Sequence, residues 1–221
     1  MTRIRRMSNR TSAARASRPV SAADIAVIAA FAALIIVLGA VSIPVGSAGV
    51  PIVLQNMGVL LAGMILGWRR GGLAVLLFLG VGFLGVPNMA GWTPALTSVS
   101  GPTVGYLVGY AVTGVLVGAL CELAPRRPQW LQVTWFIVAG ALCVGVQYLS
   151  GSVGLMLRTD MDFGAALVSN GPFIPGDAAK VVVAALVSAA VLRAVPDLRR
   201  DRRSRVTDGA EAAGRPVTPV A

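Results

Sequence analysis

Six long blocks of aliphatic residues, separated by short polar turns, limit what this chain can fold into. They run from about Asp24 to Val41, Ile52 to Trp68, Gly71 to Val86, Val104 to Leu123, Leu131 to Leu149 and Ala178 to Val195. A run of roughly 17–25 apolar residues can cross a bilayer as a helix, in which every backbone polar group bonds internally. Hydrophobic residues make up 56% of the 221 residues and charged residues 13%, a balance foreign to a soluble domain of this length. The sequence predicts an all-α integral membrane protein with six transmembrane helices. The second and third blocks are near the short limit, with Arg69-Arg70 and Gly71-Gly72 as the tight turn between them.

The net charge of +10 is distributed by topology. Residues 1–20 carry Arg3, Arg5, Arg6, Arg10, Arg15 and Arg18 among Ser, Thr and Ala, and read as a flexible basic arm. A second basic tail covers 197–221, which leaves 21–196 as the membrane domain. An amino terminus in the cytoplasm puts the turns with Arg69, Arg70, Arg126 and Arg127 on that side, together with the tail holding Arg199 to Arg205. Arg158 alone falls outside, so both termini are expected in the cytoplasm of a multi-pass cell-membrane protein. No basic-aromatic alternation marks a nucleic-acid partner. The arms could rest on anionic lipid.

Several chemistries are excluded or unsupported. The chain has no histidine and no GxxxxGK[ST], so it cannot hydrolyse ATP through a P-loop. Cys121 and Cys143 lie in apolar runs without metal-ligand spacing and read as buried small hydrophobes. No metal, no cofactor and no catalytic residue is expected. Glu122 and Asp24 fall at cytoplasmic helix ends, where capping suits them. Gly114 to Gly118 and the Ala26–Ala30 and Ala29–Ala33 spacings permit close helix approach.

The residues that resist this bland reading are Phe173-Ile174-Pro175-Gly176-Asp177-Ala178-Ala179-Lys180. Lys180 is the only lysine, and it stands at the start of an apolar block with Asp177 three residues before it. Each charge costs roughly 2.5–3.5 kcal/mol on insertion scales, so such groups face a cavity, a protein interior or each other. Asp177 can serve as a helix N-cap or bind ligand N–H groups; Lys180 can snorkel, or meet a ligand carboxylate. Gln55 and Asn56 start the second block and can stitch helices together or orient a ligand. Trp92 and Tyr106 are either interface-belt aromatics or walls against a ring system. The external connections 42–51, 87–102 and 150–176, the last with an apolar piece at Ala165 to Val168, are apolar enough to fold back over an outward-facing pocket.

These motifs together resemble one family. Pro51-Ile52-Val53-Leu54-Gln55-Asn56, then Leu60-Leu61-Ala62-Gly63 with Gly67 and Arg70-Gly71, then Gly101-Pro102-Thr103 with Gly105-Tyr106-Leu107 and Gly109, then Phe173 to Asp177 with Lys180, are similar to the BioY family. Its members are biotin-binding S components of energy-coupling factor (ECF) transporters. The resemblance implies a six-helix S-component fold with an extracellular biotin pocket contacted by Asp177 and Lys180. It also implies help from the loop around Gly91 to Thr93, although the family's glycine-rich run is here Gly91-Trp92-Thr93-Pro94-Ala95. The expected biotin-binding residues are Asp177, Lys180, Gln55, Trp92 and Tyr106. The first helix, through Ala26 and Ala30, resembles the docking face for a transmembrane T component, and two ABC-type ATPases would supply the energy. Members that work without those partners, and a homo-oligomer, stay open. The competing readings are an S component for another small vitamin and a membrane enzyme using Lys180 as base.

Overall fold

The computed structural model describes residues 21–43, 52–125 and 127–198. The arm 1–20, the tail from 199 onward, Arg126 and most of the first external connection lie outside the described residues.

The first helix, α1 (Ala22–Gly39), begins where a capping box allows it. Ser21 Oγ accepts from Asp24 N at 3.2 Å, and Asp24 Oδ2 accepts from Ser21 N at 3.1 Å. Only the stripe Ile28, Ala32, Ile35 and Gly39 is buried, so α1 packs by one narrow face. Two short strands, β1 (Ser42–Ile43) and β2 (Ile52–Val53), pair antiparallel and lead into α2 (Gln55–Phe83).

α2 joins the second and third expected blocks, but Gly67 interrupts it at φ 79° and ψ 179°, a conformation essentially reserved for glycine. The helix restarts at Trp68, whose N–H donates to Glu122 Oε1 at 3.1 Å. The break therefore comes ahead of the Arg69-Arg70 and Gly71-Gly72 turn anticipated from the sequence. Gly71 then lies against Ala62 and Gly63, which folds the second half of α2 back on the first.

A short helix α3 (Ala95–Ser100) precedes α4 (Val104–Glu122), which packs on both α2 and α5 (Gln129–Arg158). α5 runs on to Arg158 instead of stopping near Leu149. Its outer turns contain Ser150, Gly151 and Ser152, small residues that let the helix continue beside α4. The short α6 (Phe163–Val168) covers the apolar piece expected in the last connection and is capped by Asp162. The final helix, α7 (Ile174–Ala194), starts before Pro175-Gly176, not after it, because proline is tolerated in a first turn. Asp177 is consequently inside the first turn and is not the N-cap.

Among the described residues, five stretches are long and apolar enough to cross a membrane: Ala22–Gly39, Gln55–Phe83, Val104–Glu122, Gln129–Arg158 and Phe163–Ala194. Their outward residues include Leu34, Val37, Leu76, Val108, Val112, Leu142 and Leu186, all exposed, as lipid-facing positions should be. This is a mostly helical, multi-pass membrane protein. Cys121 and Cys143 are buried, as their apolar settings required. At one end of the bundle Arg70 links three segments, through Asp24 at 3.3 Å and the Leu198 carbonyl at 2.6 Å. The opposite end holds the cavity.

Candidate functional site

The cavity has a volume of about 270 Å³, near the lower end of the roughly 300–1,000 Å³ typical of small-ligand sites. It lies where β2, the start of α2, α4, α5 and the start of α7 meet, and the 84–103 connection closes one side. All three tyrosines of the chain, Tyr106, Tyr110 and Tyr148, line it. Tyr106 and Tyr110 share a face of α4 by their four-residue spacing, and Tyr148 comes from α5.

Asp177 and Lys180 form a buried ion pair at 2.8 Å, with side chains 8% and 9% exposed. Their three-residue spacing near the start of α7 puts them on one face, toward the start of α2. Lys180 Nζ donates to Asp177 Oδ1 at 2.8 Å, to the Val53 carbonyl at 2.6 Å and to Asn56 Oδ1 at 3.2 Å. An ammonium has three donors, and all three are used within the protein. Asn56 Nδ2 also donates to Asp177 Oδ1 at 2.9 Å, while Tyr148 donates to Oδ2 at 2.7 Å. The pair is electrically neutral and tightly held. What it has left to present to a ligand is acceptor capacity on Asp177 Oδ2, and not a free cation.

Gln55 is 1% exposed and does part of the stitching foreseen for it. Its Nε2 donates to the Asn88 carbonyl at 2.7 Å and the Ile35 carbonyl at 3.3 Å, tying α1 and the 84–103 connection to the cavity wall. Asn88 in turn accepts from Ala95 N at 3.2 Å and donates to the Phe78 carbonyl. This buried amide anchors the 84–103 connection over the cavity. Tyr106 lines the cavity and donates to Asn170 Oδ1 at 2.6 Å; Asn170 Nδ2 donates to Ser152 Oγ at 3.0 Å.

The structure thus brings Asp177, Lys180, Gln55 and Tyr106 to one cavity. It does not bring Trp92, which is 60% exposed and absent from the lining; its neighbours Ala90 and Thr93 line the wall in its place. The reason is local. Gly91 and Trp92 both have positive φ, 70° and 56°, and this turn directs the indole away from the cavity. Ala26 and Ala30 are exposed on the face of α1 turned away from the bundle. Sequence reasoning missed Tyr110, Tyr148, Gln147 and Asn88 as cavity or anchoring residues. The rarity of tyrosine and the 106/110 spacing were the available signals for two of them.

A membrane bundle with a part-open cavity at one end, walled by tyrosines and buried polar side chains, defines a small-molecule-binding membrane subunit. The BioY family profile matches residues 8–197, and the chain belongs to the BioY family. It is 36% identical over 145 residues to the biotin transporter BioY of Rhizobium etli, covering 64% of this chain and 78% of that one. It is 37% identical over 152 residues to the biotin transporter BioY of Rhodobacter capsulatus, covering 65% and 79%. Among solved structures it is similar to the S-component for biotin from an ECF-type ABC transporter. That match has a TM-score of 0.71 and 28% identity, covering 77% of this chain and 91% of the other. These relatives are transport proteins, not enzymes. The partners of Lys180, a carbonyl, an amide and a carboxylate, take all three of its donors, an arrangement that suits positioning of Asp177 and not general-base chemistry.

Proposed function

We propose that this chain is the biotin-capturing S component of an ECF-type uptake system, and that biotin occupies the cavity beside Asp177. The observation that carries this reading is the pairing of a buried carboxylate with tyrosine walls in one small cavity. A ureido N–H suits the remaining acceptor capacity of Asp177 Oδ2, and the apolar bicycle suits Tyr106, Tyr110 and Tyr148. Lys180 acts through Asp177, holding its carboxylate in place. The ligand's carboxylate then lies toward α3, where Ser98 and Thr103 offer hydroxyls.

Six crossings follow when the halves of α2, interrupted at Gly67, are counted separately. Both termini then lie in the cytoplasm and the cavity opens outward from the cell membrane. The support is the arginine distribution, with Arg69, Arg70 and Arg127 on one side and Arg158 on the other. The basic arm 1–20 and tail 197–221 flank the domain on the cytoplasmic side. In detergent, the purified protein should bind biotin saturably, and excess thiamine or riboflavin should not displace it. A folded protein that ignores biotin overturns the assignment.

Transport would need a T component and two ABC-type ATPases, with the exposed Ala26 and Ala30 face of α1 as the docking surface. Leucines at both positions add bulk to an exposed face without touching the core. The Ala26→Leu/Ala30→Leu variant should keep wild-type biotin affinity but lose co-purification with the T component, and its uptake should fall at least tenfold. Uptake at the wild-type rate would remove this face from the interface.

A further inference from the structure

Among the described residues, three buried side-chain atoms have no hydrogen-bond partner: Gln55 Oε1, Gln147 Nε2 and Ser188 Oγ. Such atoms are rare in folded proteins, and each calls for a partner the chain itself does not supply. Ser188 lies along α7 and is absent from the cavity lining, but both glutamines line the cavity. Gln55 and Gln147 are 1% and 3% exposed and the two atoms are themselves covered, so bulk water does not satisfy them, and a ligand in the cavity meets them as the glutamine side chains shift toward it. The orientation of the Gln55 amide is set by its two carbonyl acceptors, Ile35 and Asn88, which leave Oε1 as the atom without a partner.

We infer that Gln55 and Gln147 form a donor–acceptor pair that reads a urea or amide group of the ligand. Gln147 Nε2 donates to the ligand's carbonyl, and Gln55 Oε1 accepts from an N–H. The inference deepens the biotin assignment and rests on it. A cyclic urea has two N–H groups and one carbonyl. Asp177 Oδ2 takes the first N–H, Gln55 Oε1 the second and Gln147 Nε2 the carbonyl, so every polar edge of the ring is matched. A site that bonds all these groups rejects analogues lacking any of them far more strongly than apolar walls could, because its own buried amides would be left unpaired. Gln147 is on this account a specificity-determining residue.

The test compares biotin with its thiourea analogue, in which sulfur, a poor acceptor, replaces the urea oxygen, on wild type and Gln147→Leu. Wild type should prefer biotin by about tenfold, and Gln147→Leu should lose about tenfold in biotin affinity and most of that preference. The preference ratio separates ligand reading from a structural role, which would weaken both ligands equally. A thermal melt without ligand reports folding, and Gln147→Met replaces the leucine variant if that variant is unstable. Wild type binding both ligands equally, or a Gln147 variant that keeps the full preference, overturns the inference while leaving the biotin assignment intact. A wild type that binds no biotin overturns both.

Discussion

Lys180→Ala and Asp177→Ala are each expected to destabilise the protein by about 3–5 kcal/mol and to abolish biotin binding, whereas Asp177→Asn combined with Lys180→Met should regain most of the stability without the binding. The single changes are severe because each leaves a partner that was chosen for a charge now absent. Without Asp177 the ammonium keeps only the Val53 carbonyl and Asn56 Oδ1. Without Lys180 the carboxylate keeps Asn56 and Tyr148 as donors but has no counter-charge in a setting 8% exposed. Loss of binding in either single variant is therefore ambiguous, since a collapsed anchor cannot bind whether or not the pair touches ligand. The paired neutral variant removes both charges together, and the Tyr148 hydroxyl can still donate to the amide oxygen that Asp177→Asn leaves in place. Thermal unfolding and biotin titration on the same preparations separate the two roles. If the paired variant is stable and binds biotin as wild type does, the pair is a strut and Asp177 is not a ligand contact. A single alanine variant as stable as wild type would contradict the buried geometry itself.

Much of this architecture was legible because lipid imposes a simple rule on sequence. Apolar blocks must be helices, and charges that cannot be avoided must find partners. Lys180 and Asp177 stand out for that reason, and the structure gives both a place in the cavity wall. The turn at Gly67 was less legible. Glycines at 67, 71 and 72 all mark a reversal, and only the contact with Glu122 distinguishes the one with positive φ. The start of α7 departs from the sequence expectation because Pro-Gly suggests a boundary, although proline also fits inside a first turn. Trp92 departs from it for a different reason: residue type shows what a side chain could contact, but a positive-φ turn decides its direction. Gln147 was invisible in sequence, since an isolated amide deep in a long apolar block carries no periodic signal. Its meaning emerges only when its Nε2 is found buried without a partner beside the cavity.

Gly105→Ala is expected to cost about 3 kcal/mol, while Gly145→Ala, on the other helix of the same pair, should be neutral or stabilising by up to about 1 kcal/mol. Both changes add one methyl group, so the difference isolates close packing from helix propensity. A Cβ at Gly105 would fall on the Ser150 carbonyl oxygen and within 2.9 Å of Gly154 Cα and N. These are backbone atoms of α5, which cannot rotate out of the way as a side chain can. Gly154 faces the same contact from the other side, so α4 and α5 approach here by matched glycines. At Gly145 an added Cβ meets nothing within 4 Å. The effect at Gly105 should also reach the cavity, because Tyr106 is the next residue and its ring lies against Gly151 of α5. Forcing the helices apart would strain the Tyr106–Asn170 bond of 2.6 Å and shift one tyrosine wall. Biotin affinity should then fall together with stability in Gly105→Ala and stay at the wild-type value in Gly145→Ala. Equal melting temperatures for the two variants would mean that α4 and α5 are not in backbone contact at this level, and the tyrosine wall would need another support.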